Sequence, residues 1–147
     1  MNLKEEIALL MSKQTSPTLI KNPQHEKEAV STLNKLGIPQ NSEFFEFFSN
    51  YYGSDLTRRC GASPLVDPAP PQKYLLHAAF VGHDAWEVPE QYILFSTGEG
   101  EGGYLYNKDD GTVWDFNLGE QKLLGTDALP HWNSFYEFMV WYLTDDE

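Results

Sequence analysis

Two runs rich in aromatic and β-branched residues, Gly103 to Asn107 and Thr112 to Phe116, stand on either side of Lys108-Asp109-Asp110-Gly111. An Asp-Gly pair readily takes the positive-φ backbone of a tight reversal, so this spacing predicts a β-hairpin over 103–116. A hairpin needs further strands to be stable, and two more runs qualify by composition. Gln91 to Ser96 and Lys73 to Val81 are rich in aliphatic and aromatic residues and bounded by Gly, Asp and Pro, which predicts strands. A meander of antiparallel strands is therefore expected in the second half of the chain.

The first third has a different period. Asn2 with Glu5 three residues on resembles a capping arrangement, and Leu3, Ile7, Leu10 and Met11 recur at helical spacing up to about Lys13. Asn22 followed by Pro23 opens a second helix with Val30, Leu33 and Leu36 along one side, and Gly37 is placed to end it. A third begins at Asn41 or Ser42 and carries Phe44, Phe45, Phe48, Tyr51 and Tyr52 before Gly53. At the far end Ser134 and Glu137 form a capping box ahead of Phe135, Phe138, Met139 and Tyr142. Between the third helix and the strands, Gly61, Pro64, Pro68, Pro70 and Pro71 disfavour regular structure, so 54–72 reads as one long loop and a candidate binding element. The predicted class is α+β: N-terminal helices, a mainly antiparallel twisted sheet and a closing C-terminal helix, in one domain over 1–147.

Composition removes several functions. Ten Lys and Arg against 22 Asp and Glu leave a net charge of -12, which opposes direct binding to nucleic acid. No run approaches the roughly 20 apolar residues that span a bilayer. The N-terminus carries Glu5 and Glu6 where a secretory signal needs positive charge, and a single cysteine, Cys60, forms no intrachain disulfide. A cytoplasmic location, with no membrane partner, is the expectation.

Catalytic and cofactor motifs fail on their own chemistry. Gly98 to Gly103 matches G-x-G-x-x-G, but a strand follows where a helix is needed, and Glu99 and Glu101 would repel a pyrophosphate. Asp109-Asp110-Gly111 lacks the carboxylates of a calcium loop, since Tyr106 and Asn117 would occupy its first and twelfth positions. His77, His83 and Asp84 match no zinc spacing, and strand alternation would send them to opposite faces. Cys60 follows Arg58 and Arg59, whose charge favours a thiolate, without any nucleophile signature, and Ser63 in Gly-Ala-Ser-Pro lacks the second glycine of an elbow. The expectation is a protein with no cofactor, no metal and no catalysis. Most of Tyr92, Tyr104, Tyr106, Trp114, Trp132, Tyr136 and Trp141 should be core. Tyr136 and Trp141 fall off the apolar stripe of the last helix and are the better interface candidates.

The acidity is uneven. Residues 98 to 147 hold 11 acidic and 2 basic side chains, net -9, against 11 acidic and 8 basic, net -3, in residues 1 to 97. Such a distribution is either a solvated surface or an electrostatic template for a basic partner.

Leu36-Gly-Ile-Pro39, the aromatic helix ending Tyr51-Tyr52-Gly53, Ile93-Leu-Phe95 leading through glycines to Tyr104-Leu-Tyr106, then Gly111-Thr-Val-Trp114 and Ser134-Phe-Tyr-Glu-Phe138, resemble in order and spacing the SUKH superfamily over roughly residues 23 to 143. The chain departs from that pattern at Ile38-Pro39, at Tyr52-Gly53, and at Gly103 and Asn107. The resemblance implies an α+β domain with no shared catalytic centre. Many bacterial members are immunity proteins that bind and block a cognate toxin, often a nuclease or deaminase, and a fungal branch regulates cell-wall synthesis. On this basis the expected function is stoichiometric neutralisation of a protein toxin with a basic active-site groove. The alternative is a regulatory interaction module of the same fold. The expected contact residues are the loop carboxylates Glu99, Glu101, Asp109 and Asp110, followed by Trp86 and Glu87 near Pro89.

Overall fold

Each predicted N-cap is used. In the computed structural model, which describes residues 2–14, 21–53, 56–68, 74–97 and 102–144, the side chains of Asn2, Asn22, Ser42 and Ser134 accept from backbone N–H groups three residues on, at Glu5, His25, Phe45 and Glu137. These caps open α1 (Leu3–Ser12), α2 (Pro23–Lys35), α3 (Glu43–Asn50) and α5 (Phe135–Leu143). Gly37 follows α2 at φ +74°. α3 stops at Asn50, three residues before Gly53, whose role is different. A Cβ at Gly53 would lie 2.3 Å from the Phe48 ring, so close packing demands a glycine there.

Four strands, β1 (Tyr92–Leu94), β2 (Gly102–Asn107), β3 (Val113–Asn117) and β4 (His131–Trp132), form one antiparallel sheet in the order β1-β2-β3-β4. The β2–β3 hairpin pairs Tyr104 with Asp115 and Tyr106 with Val113 around the predicted turn. The architecture is α+β, with helices ahead of the sheet and one helix closing it.

One expected strand is a helix. Composition places residues 73–81 in the sheet, but Tyr74–Asp84 forms α4. Its buried residues, Leu75, Ala78, Ala79 and Gly82, recur at helical spacing. A continuous apolar run carries no period of its own, and here 11 residues of length and two alanines favour the helix.

The sheet is covered on both faces, which is why β2 is buried along nearly its whole length instead of at alternate positions. On one face Phe95, Tyr104 and Tyr106 meet Phe44 of α3 and Phe135 and Phe138 of α5. On the other, Leu94 approaches Gly82 of α4, and Phe116 meets Trp86 with ring centroids 6.0 Å apart. A continuous apolar cluster runs from Ile7 to Tyr142. No helix of the described residues is long and apolar enough to cross a membrane.

The segment expected as one long loop is irregular in its described part, and it is largely packed there. Leu56, Ala62, Leu65 and Val66 are buried, and Leu65 bridges to Ser96 beside β1. Arg59 N–H donates to the Tyr142 carbonyl at 2.8 Å, and the Tyr142 hydroxyl donates to the Ser63 carbonyl at 2.9 Å, which fasten the segment to α5. Its end is an ion pair: Lys21 Nζ and Asp67 Oδ1 lie 2.9 Å apart, with their side chains 0% and 8% exposed.

Candidate functional site

Local hydrogen bonds build the turn that carries Asp109 and Asp110. Asn107 Oδ1 accepts from Asp109 N–H at 2.9 Å, and the Asn107 carbonyl accepts from Gly111 N–H at 2.8 Å. Gly111 has φ +82°, the left-handed backbone that the Asp-Gly pair announced. Asp110 Oδ1 accepts from both the Thr112 N–H, at 3.0 Å, and the Thr112 hydroxyl, at 2.6 Å. Thr112 Oγ1 in turn accepts from the Trp114 indole N–H at 2.8 Å, tying the turn to a buried ring. Each carboxylate is exposed, and neither is ion-paired among the described residues. The nearest lysine is engaged elsewhere: Lys108 Nζ donates to the Leu36 carbonyl at 3.1 Å, at the end of α2.

The turn borders a groove of about 330 Å³ whose other walls are the first residues of α3 and α5, including Ser42, Glu43 and Ser134. Tyr106 also lines it, with its hydroxyl hydrogen-bonded to Ser42, and burial pushes that phenol's pKa up. Glu43 Oε1 accepts from the Tyr136 N–H at 2.9 Å, so one wall helps to fix the start of α5. The groove is lined by the carboxylates of Glu43, Asp109 and Asp110 and by hydroxyls and amides, together with Lys108, Pro39 and Phe135, so acidic side chains outnumber its single basic one and favour a guanidinium or ammonium group. Glu43 was not among the expected contact residues. The caps Ser42 and Ser134 are legible in the sequence, but their meeting at one groove depends on how α3 and α5 pack.

The other expected contacts fare differently. Glu99 and Glu101 lie outside the described residues. The expectation for Trp86 is corrected: it is only 8% exposed, packs against Phe116, and its carbonyl accepts from Gln121 Nε2 at 2.8 Å. A large apolar ring beside a covered sheet face gains more by burial than by waiting for a partner. Glu87, next in sequence, is exposed and has φ +55°, which a non-glycine residue rarely adopts. Tyr136 is likewise not a surface aromatic. It is 5% exposed, and its phenol donates to Glu46 while burial and that carboxylate push its pKa up strongly. Trp141 is half-buried under the Arg59 guanidinium, which sits 5.0 Å from its ring.

Two further groups singled out in the sequence are placed as follows. His77, His83 and Asp84 share α4 instead of alternating along a strand, and His83 Nε2 contacts the Tyr92 carbonyl at 2.7 Å on the edge strand β1. Among the described residues no three His, Cys, Asp or Glu side chains group so as to hold a metal ion. Cys60 is exposed, and the neighbouring Arg58 and Arg59 each turn Nε to a backbone carbonyl, of Ala62 and Trp141, at 2.9 Å. No family model, curated protein or solved structure matches the chain.

Proposed function

We propose that this chain is an immunity-type inhibitor, which acts in the cytoplasm by binding a cognate toxin stoichiometrically and carries the SUKH-like fold its motif order resembles. The observation that supports this most is the preformed acidic turn. Asp109 and Asp110 project from a turn held by its own hydrogen bonds, beside a polar groove, within the half of the chain that carries net charge -9. A partner whose active site binds phosphates is basic, and the same basic groove attracts carboxylates. Rigid carboxylates lose little entropy on docking, so the inhibitor occupies the groove as a mimic of the substrate backbone. Inhibition of this kind needs no turnover.

The experiment is co-expression with the neighbouring open reading frame, scored by growth rescue and by co-purification, followed by association kinetics against salt. Asp109→Asn and Asp110→Asn together remove both charges, while the new amide at position 110 keeps an oxygen to accept from Thr112. The double variant is expected to associate about tenfold more slowly at low salt, with a flatter salt dependence and an unchanged melting temperature. Unaltered kinetics would remove this face from the interface, and rescue without physical association would defeat direct inhibition.

A further inference from the structure

Small residues let α4 approach the sheet, and one of them leaves a hole. Gly82 meets β1 so closely that an added Cβ would lie 3.2 Å from Leu94 Cβ. One turn earlier Ala78 offers only a methyl group, and beside it lies a cavity of about 290 Å³ whose apolar walls are Val66, Ala78, Val81 and Leu94. Backbone hydrogen bonds hold those walls. Val66 N–H donates to the Phe95 carbonyl at 3.0 Å, Thr97 N–H to the Pro64 carbonyl at 3.0 Å, and Leu75 N–H to the Asp67 carbonyl at 3.1 Å. Two hydroxyls also line the space, and they differ. Ser96 Oγ is engaged twice, accepting from the Tyr104 N–H at 2.9 Å and donating to the Thr97 carbonyl at 3.2 Å. Thr97 Oγ1 is the buried side-chain oxygen or nitrogen that has no hydrogen-bond partner among the described residues. A buried hydroxyl left unpaired costs free energy on folding, so stability alone would favour an apolar side chain of the same shape at this position.

We propose that this cavity binds a small, uncharged, mainly apolar molecule carrying one hydroxyl or carbonyl group, with Thr97 Oγ1 as its hydrogen-bond partner. Apolar walls with one spare polar group are the make-up of a small-molecule site, the walls supplying affinity and the polar group orientation. The size fits this class. A cavity of about 150 Å³ takes benzene, so this one has room for about 8 to 12 non-hydrogen atoms. The lining excludes ions. Its one titratable side chain among the described residues is His77, which is exposed, so a carboxylate would leave water without gaining a fixed cation and an ammonium group would find no carboxylate. The Thr97 hydroxyl both donates and accepts, and the staggered χ1 wells let its oxygen turn to a group seated beside it. The site is independent of the proposed toxin contact, which concerns the hairpin turn.

The test titrates 4-ethylphenol and ethylbenzene into the full chain and follows methyl NMR signals. The expected result is saturable shifts confined to the methyl groups of Val66, Ala78, Val81, Leu94 and Thr97. Thr97→Val keeps the shape of the side chain and removes its hydroxyl. It is expected to lower the preference for 4-ethylphenol over ethylbenzene about fivefold, and to raise the melting temperature of the chain with no ligand added. Ala78→Leu fills the space and should weaken both ligands about tenfold, with circular dichroism reporting whether the helix content is kept. The wild-type and Thr97→Val measurements decide the matter without that variant. Absence of saturable shifts up to the solubility of either ligand overturns the proposal, as does a preference that Thr97→Val leaves unchanged. Shifts spread over the exposed residues Phe80, Leu118 and Leu123 would mark binding to the surface and overturn it as well. So would a Thr97→Val chain less stable than the wild type, since the hydroxyl would then already be satisfied within the protein.

Discussion

Lys21 shows how much depends on a single buried cation. Its Nζ donates to the Phe48 and Tyr51 carbonyls and to Asp67, and Asp67 also accepts from the Gly53 N–H at 2.6 Å, so one pair joins the end of α3 to the segment before α4. Burial pulls the Lys21 pKa down, and Asp67 opposes that pull. Removing one partner strands the other, so Lys21→Met is expected to cost about 3 to 5 kcal/mol in urea unfolding. Lys21→Met with Asp67→Leu should recover much of that loss, short of all because the Gly53 N–H is left unsatisfied. Glu46 makes a second contact between elements. The Tyr136 phenol holds its carboxyl below the usual carboxylate range against the pull of burial, and Lys4, 3.1 Å away, adds to this. The folded state therefore binds this proton less readily than the unfolded chain, which adds stability above the ordinary carboxyl value of about 4.3 that is lost as pH falls through the depressed folded value. Tyr136→Phe should raise the Glu46 titration measured by NMR, and its destabilisation relative to wild type should shrink below about pH 4.

Among the secondary-structure elements, α3 and the hairpin carry different duties. Phe44 of α3 sits between Phe48, Phe95, Tyr106 and Phe135, with ring centroids 4.4 to 5.4 Å away. Phe44→Ala is expected to cost about 3 to 5 kcal/mol by chemical denaturation, because rings that belong to two helices and the sheet cannot all collapse into the space. The turn responds more gently. Gly111→Ala forces a Cβ onto a φ of +82° and should cost about 1 kcal/mol, without displacing Asp109 or Asp110, since nothing lies within 4 Å of the added methyl. A larger loss, measured the same way, would mean that the turn couples to the core through Trp114 more strongly than its hydrogen bonds indicate. The four caps and the Asp-Gly reversal are readable because each depends on residues within three or four positions of one another. α4 reads as a strand from composition because a continuous apolar run carries no period of its own, and its neighbours in space determine which of its apolar residues are buried.

Across the protein as a body the two surfaces are opposites: an acidic turn with a polar groove at one place and a nearly uncharged helix at another. Salt should weaken association at the first, so a salt series of the association rate tests the proposed toxin contact. The candidate site is legible only in part. Asp109 and Asp110 follow from a turn that must lie at the surface, whereas Trp86 and Tyr136, expected as surface aromatics, are buried by the sheet and by α3. Glu43 joins the site from 66 residues before Asp109 in sequence, a distance that no local pattern spans. Helix starts, the hairpin, the α+β class and the concentration of charge could all be read along the chain, since capping, turn geometry and net charge are properties of near neighbours and of composition. The covering of both sheet faces, the burial pattern of α4, with Leu76 and Phe80 exposed, and the framing of the acidic turn by two capped helices required the folded arrangement. Those outcomes follow from burial, which sums over contacts between residues distant in the chain.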